Sequence, residues 1–358
     1  MEIPAPILEA DEALYSLLQR VAFSRHLNPS NVQEARRAFI EGVEAPPFVY
    51  QPLEDADVLR ATLDKMQPPR DHPAGALVGA CIDGVARLVE AMDKRTATAF
   101  DQLNRGAGWY PDTALLQAEY PKASPDEPLD VPASQLIVHF MCAFQARDMN
   151  QWRIEADEVM SARVLVDSAK RLIRVNPKAR FRQRDLTRLV VHEIDVHARR
   201  ATNGEQQPLH CFVTGLPGSL ATEEGLAMVA EETSGTASPG VLARQTEVVR
   251  AIDAARSMGF RALYEHLIER ISPGLAWGIC LRVKRGLADP GSPGVYAKDS
   301  VYLSGRNKVR AWLDAGGDIS TLYVGKVGLD DPVSEWLEQG WVSRGQVPAF
   351  WTSGAHSA

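Results

Sequence analysis

His192 and His197 stand five residues apart, with Glu193 directly after the first, in the run His192-Glu193-Ile194-Asp195-Val196-His197. Imidazoles and a carboxylate at short spacing can bind a metal, and a glutamate beside metal-activated water can do hydrolysis. The familiar zinc arrangement sets two histidines at i and i+4, so that both rings leave one face of a helix. On a regular helix, at ~100° per residue, rings five apart point roughly 140° away from each other. Both reach one ion only if the turn widens to a π-type turn or breaks. The spacing alone therefore leaves a metal site and a chance arrangement equally open.

A catalytic zinc needs three protein ligands and an open position for water. Thr222-Glu223-Glu224-Gly225-Leu226-Ala227 offers a carboxylate from a second helix, a short loop after the first. Acidic residues also favour the positive end of any helix, with Thr222 as its cap, and that plainer role suits Glu223 in particular. His210 and Cys211 lie in the intervening loop, where a histidine beside Pro208 reads as a surface or hydrogen-bonding residue. His139 and His266 sit among apolar neighbours and read as packed or partly exposed, without a role.

The elements that must position these groups follow from hydrophobic periodicity. Helices are expected over 10–25, 31–42 and 74–102, with an extended Pro-rich segment at 46–52. Residues 106–132, rich in Pro, Gly and Asp, read as a long connection and the best boundary. A strand is expected over 151–159 and a β-hairpin over 162–166 and 171–175. The histidines fall on a helix over 183–202, stopped by Asn203-Gly204. Further helices are expected over 222–232, 240–258, 261–270, 277–286 and 298–315, and the tail at 352–358 reads as frayed. The whole is α+β, predominantly helical, with a small hairpin or sheet before the metal-binding helix. Its regions are 1–132, helical, and 133–350, catalytic, together one compact unit.

The chain has 358 residues, 45% of them apolar, and a net charge of −7. That balance gives no basic footprint for nucleic acid and no polybasic membrane patch. The Arg/Lys-rich stretch 171–188 reads as a solvated face. Four scattered cysteines form no CxxC pair, which argues against a disulfide scaffold or a Cys-rich zinc site. With no signal-like N-terminus and no spanning apolar run, a soluble cytoplasmic protein is the expectation.

Several blocks, in order, resemble the microtubule-associated tyrosine carboxypeptidases and their bacterial relatives, the QEGLA-motif proteins. Residues 181–189 lead into His192-Glu193 and His197, with Arg200 after them. Asn203-Gly204 and Gln207-Pro208-Leu209 follow, then Gly215-Leu216-Pro217-Gly218 before the Thr222 to Ala227 block. Arg285-Gly286, Lys298-Asp299 with Tyr302-Leu303 and Gly305, and Gly325-Lys326 complete the series, with Pro47-Phe48, Tyr50 and Pro52-Leu53 upstream. The likeness covers about residues 46–340.

The resemblance implies a zinc metallopeptidase-like core with one Zn2+ per chain. His192, His197 and Glu224 are the implied ligands, because the glutamate directly before Gly-Leu-Ala is the one the family shares. Glu193 is the implied acid–base catalyst. One departure stands out: Asp195-Val196 replaces the Gly-Thr of many relatives. It adds a negative charge near the metal and removes a glycine that would ease a widened turn.

Eukaryotic relatives remove a C-terminal tyrosine, so carboxypeptidase action on a peptide or protein tail is the leading expectation. Arg163, Arg200, Arg285, Lys298 and Tyr302 are candidates to bind a substrate carboxylate or steady an oxyanion, or else to form structural ion pairs. The hairpin offers a strand edge on which a peptide can dock, unless the N-terminal helices cover it. Hydrolysis of a small amide or amino-acid conjugate is the alternative reaction. A non-catalytic regulatory protein with structural zinc is the alternative class, and the intact Glu193 counts against it.

Overall fold

Apolar residues at helical spacing make the first third a run of helices: α1 (Ala5–Arg20), α2 (Phe23–Leu27), α3 (Val32–Ile40), α4 (Ala56–Lys65), α5 (Pro73–Lys94) and α6 (Ala97–Gly106). The structure is a computed structural model and describes residues 2–53, 55–120, 128–158, 160, 162–238 and 240–353. The helix expected over 10–25 starts earlier, with Pro6 in its first turn, and stops at Val21, which is extended (φ −93°, ψ 121°). The one expected over 74–102 is two helices. Arg95 turns left-handed (φ 52°), its guanidinium held by the carbonyls of Gln51, His26 and Gly286, and Thr96 then caps α6 by accepting from Ala99 N at 3.2 Å. Periodicity did not single out α4.

The expected connection contains α7 (Thr113–Gln117), while residues 121–127 lie outside the described part. It ends in β1 (Val131–Pro132) and leads into α8 (Ala133–Ala146), another helix that the sequence reading passed over. Next come β2 (Arg153–Ala156), β3 (Val164–Asp167), β4 (Leu172–Val175) and β5 (Arg180–Phe181). The hairpin is present as β3–β4, antiparallel, and β2 runs parallel to β4, giving the order β2-β4-β3.

The histidine helix is continuous but changes pitch. It opens as α9 (Asp185–Leu189), widens to a π-helical segment (Val190–Ala198) and closes as α10 (Arg199–Gly204). Asn203 and Gly204 are its last two residues, and both are fixed by packing. Asn203 bonds the backbone of Tyr323 and Gln346, and a Cβ on Gly204 would lie 2.3 Å from Phe212 O in α11 (Cys211–Thr214).

The remaining helices are α12 (Ser219–Thr233), α13 (Val241–Ala255), α14 (Phe260–Ile268), α15 (Pro273–Lys284), α16 (Val301–Asp314), α17 (Ile319–Leu322), α18 (Val333–Glu338) and α19 (Phe350–Ser353). The expected tail lies largely outside the described residues. Helices α12 and α16 cross with backbones in contact: a Cβ on Gly225 would lie 2.1 Å from Gly305 C, and one on Gly305 only 1.8 Å from Ala221 O. Both positions need glycine because nothing larger fits between the chains.

The histidine helix is the spine between two cores. Val191 and Val196 belong to an apolar cluster that reaches from Ile7 in α1 to Val342. Ile194, Ala198 and Ala201 belong to another with α8 and the sheet. Burial on both sides fixes the rotation of the helix, and so fixes where its histidines point. Among the described residues no helix is long and apolar enough to cross a membrane.

Candidate active site

The π segment supplies the widened turn that the histidine spacing demands. Its hydrogen bonds close five residues back, so side chains five apart lie nearly above one another. The His192 and His197 rings are 4.9 Å apart between centroids, at 74° to each other. The turn widens without the family's glycine. Nor does Asp195 bring charge to the histidines: its buried carboxylate accepts two bonds from Arg147 of α8, from Nε at 2.5 Å and Nη2 at 2.8 Å.

Each ring is oriented by a carboxylate from α12. His192 Nδ1 is 2.8 Å from Glu231 Oε1, and His197 Nδ1 is 2.7 Å from Glu223 Oε1. With Nδ1–H donating there, each Nε2 is the atom left to carry a proton or, in its place, a metal, which is how second-layer carboxylates orient histidines for a metal. Both Nε2 atoms converge on Glu224 Oε2, at 3.7 and 3.6 Å. That oxygen is buried and has no hydrogen-bond partner. A buried carboxylate oxygen left unpaired is costly, and a cation among these three atoms would satisfy it. A Glu193 carboxylate oxygen and one nitrogen of each ring also fall within 4.8 Å of one another.

The charges agree. Burial lowers the His192 pKa, but Glu193, Glu224 and Glu231 outweigh it and push it up to about 10. Burial raises that of Glu224, and His192, His197 and Lys298 bring it down to about 2. The place is made for positive charge. Two imidazole nitrogens and one carboxylate oxygen fit a divalent metal with borderline-soft preference.

Two expectations on α12 are corrected. The helix begins at Ser219 after Gly218, so Thr222 is not its cap; Thr222 Oγ1 instead accepts from Leu329 N at 3.0 Å. Glu223 is no solvated helix-end acid. It is buried, bonded to His197, 2.9 Å from Lys326 Nζ, and paired with Arg200. These cations and His197 outweigh burial and hold its carboxyl well below the usual range. Arg200 is not among the residues that line the cleft beside the histidines. It is fully buried, and its Nε and Nη2 donate to Leu322 O and Val327 O at 2.7 and 2.6 Å.

The other candidates line a cleft of about 1330 Å³ that has His192, Glu193, His197 and Glu224 in its wall. Arg163 is at the rim, 3.4 Å from Asp185 and over the Phe181 ring. Arg285 is 3.3 Å from Asp299, a carboxylate it shares with Arg282 (2.5 Å), and its Nε has no partner. The side chains of Lys298 and Tyr302 make no hydrogen bond or ion pair among the described residues. Both are close enough to Glu224 to feel its charge. Burial lowers the Lys298 pKa and raises that of Tyr302, which keeps its proton.

Sequence reasoning missed Glu231, Arg188, Arg244, Arg282 and Asp299. Glu231 was within reach, since it lies seven residues after Glu224 and so on the same helix face. Arg188 sits in the stretch expected to be solvated, yet it is mostly buried between Asp185 and Glu231 (3.1 and 2.8 Å). Arg244 faces the cleft from α13, a helix with no motif to mark it. His210 is outside the cleft, stacked on Tyr15 and 3.0 Å from Glu12, and His139 and His266 are exposed.

The fold and site together define a helical α+β protein whose cleft wall brings two histidines together with Glu193 and Glu224. The chain belongs to the family of microtubule-associated tyrosine carboxypeptidases, whose model matches residues 46–357. It is 29% identical over 203 residues to microtubule-associated tyrosine carboxypeptidase 1 of Mus musculus, a match covering 55% of this chain and 43% of that one. The Homo sapiens protein of the same name gives 29% over 203 residues, 55% and 42%. The chain thus matches less than half the length of these curated relatives.

Proposed function

We propose that the chain is a zinc-dependent carboxypeptidase that removes a residue from the C-terminus of a peptide or protein tail. The observation that carries this is the meeting of two oriented Nε2 atoms with the orphaned oxygen of Glu224. The names of the relatives point to the same reaction class.

His192, His197 and Glu224 would hold the zinc. When bound, it polarises a carbonyl and brings water to a pKa of about 7. Glu193, beside both imidazoles, takes the proton from the attacking water and delivers it to the leaving amine. Tyr302, protonated and close to Glu224, donates a hydrogen bond to the carbonyl oxygen as that oxygen gains charge.

A carboxypeptidase must tell a chain end from a chain middle, and the free carboxylate is the charge that marks the end. Lys298 with Arg282, Arg285 and Arg244 make one side of the cleft cationic, with Asp299 shared between two of the guanidiniums. We assign the terminal carboxylate to this side, with Arg285 and Lys298 as its holders. The cleft is larger than the ~300–1,000 Å³ usual for a small ligand, which suits a peptide better than a lone amide.

The test is zinc content and turnover in parallel. Purified protein should carry about one zinc per chain. Glu193→Gln should keep that zinc and lose turnover by on the order of 10²–10⁴. Wild-type turnover in Glu193→Gln would show that the proton is handled elsewhere.

A further inference from the structure

Strand β3 is the outer strand of its sheet, and Val164, Leu165 and Val166 line the same cleft as His192 and Glu193. In an antiparallel pair, alternate residues turn their N–H and C=O toward the partner strand and away from it. Asn176 N donates to Arg163 O at 3.0 Å, and the register then pairs Val164 with Val175, Leu165 with Arg174 and Val166 with Ile173. The hydrogen-bonded rungs therefore fall on Arg163, Leu165 and Asp167. Val164 and Val166 turn their N–H and C=O outward, where outside the ladder they make no backbone hydrogen bond among the described residues.

That free edge is held rigidly. The side chains of Val164 and Val166 pack against the core cluster that also contains Ile194 of the π segment. The edge and the metal-holding helix thus share one packed unit. Val164, Leu165 and Val166 line the cleft, with Ser24 and Leu27 of α2 also in its wall.

We propose that the substrate peptide binds as an added strand on β3, bonded through its main chain to the N–H and C=O of Val164 and Val166. This rests on the peptidase reading of the cleft and deepens it. Main-chain bonds hold an extended peptide whatever its sequence, which leaves selection to its side chains and its terminal carboxylate.

Binding, rather than cleavage, tests it. The probe is a fluorescein-labelled free-acid decapeptide, the tightest binder from a random library, titrated by anisotropy against zinc-loaded Glu193→Gln protein. A scan of backbone N-methyl groups along the peptide should weaken binding at every second residue of the docked stretch, by about three- to tenfold each. Independently, Val166→Pro removes an outward N–H and leaves the β4 ladder intact, a place where an edge strand tolerates proline. It should lose a similar factor in affinity while keeping its circular dichroism and its zinc. A flat N-methyl profile, unchanged affinity in Val166→Pro, or a library with no binder would each overturn strand docking. Period-two binding of a peptide that the wild-type protein never cuts would leave docking standing and overturn the peptidase reading instead.

Discussion

The roles of four carboxylates around two imidazoles are separable by substitution. His192→Ala, His197→Ala and Glu224→Ala each remove a donor from a three-donor set and should abolish stoichiometric zinc. Glu231→Gln keeps the shape of the group beside His192 Nδ1 but removes its charge, so zinc affinity should fall by about 10–100-fold without disappearing. His210→Ala, outside the cleft, should retain full zinc. Competition with a chelator of known affinity measures all of these. Unchanged affinity in Glu231→Gln would mean that the His192 ring is not oriented through its Nδ1. Glu223 is the less clean probe, because it also pairs with Arg200 and Lys326, and its loss would disturb the fold along with the ligand. The meeting of His192, His197, Glu193 and Glu224 in one cleft wall was legible from their motifs. Glu231 could have been found from its place seven residues after Glu224 on one helix face, whereas the role of Asp299 could not, since it shows only in the pairing with Arg282 and Arg285 across separate elements.

Two elements make the site possible, and each gives a prediction. The crossing of α12 and α16 sets Glu224 near Tyr302, and its closeness depends on Gly225 facing Gly305. Gly225→Ala puts a methyl group against backbone that cannot move aside, which should cost roughly 1–3 kcal/mol or more and reduce zinc occupancy. Gly84→Ala, in the interior of α5 with open space around it, should instead gain about 0.5–1 kcal/mol. Thermal unfolding of both variants checks the contrast, and a neutral Gly225→Ala would contradict the close crossing. The sequence shows glycine at 225 and 305 but not that they meet, since helix crossings are long-range. The π segment was legible only as a condition, because histidines five apart require a wider turn without revealing what sustains it. Burial of Val191 and Val196 on one side and Ile194 and Ala198 on the other is what holds it. Helix α8 escaped because its solvent side is also apolar, with Val138 and Met141 exposed, so its periodicity is blurred.

Across the whole molecule, cations meet backbone carbonyls and carboxylates. Lys284, fully buried at the end of α15, donates to the carbonyls of Ala255, Met258 and Ser292 (3.3, 2.5 and 2.9 Å) and ties α13 to the loop before α16. Burial pulls its pKa down to about 8. Below that pH the folded protein must hold a buried cation, while above the ordinary lysine value of 10.5 neither state does. The stability that Lys284 contributes is therefore full above pH 10.5 and lost as pH falls through about 8. Relative to Lys284→Met, wild-type stability should rise across that window by on the order of 3 kcal/mol; a constant difference would mean that no shift exists. The larger cationic feature is the side of the cleft carrying Lys298, Arg282, Arg285 and Arg244, assembled from α13, the end of α15 and the turn before α16, which no single stretch of sequence displays. Its assigned task is the measure of the central claim. Matched peptides, one set with free C-terminal carboxylates and one amidated, should be incubated with zinc-loaded protein and followed by mass spectrometry. Loss of one terminal residue from the free acids, with the amides untouched, is the expected result. Equal cleavage of both sets, or cuts well inside the chain, would contradict carboxypeptidase action.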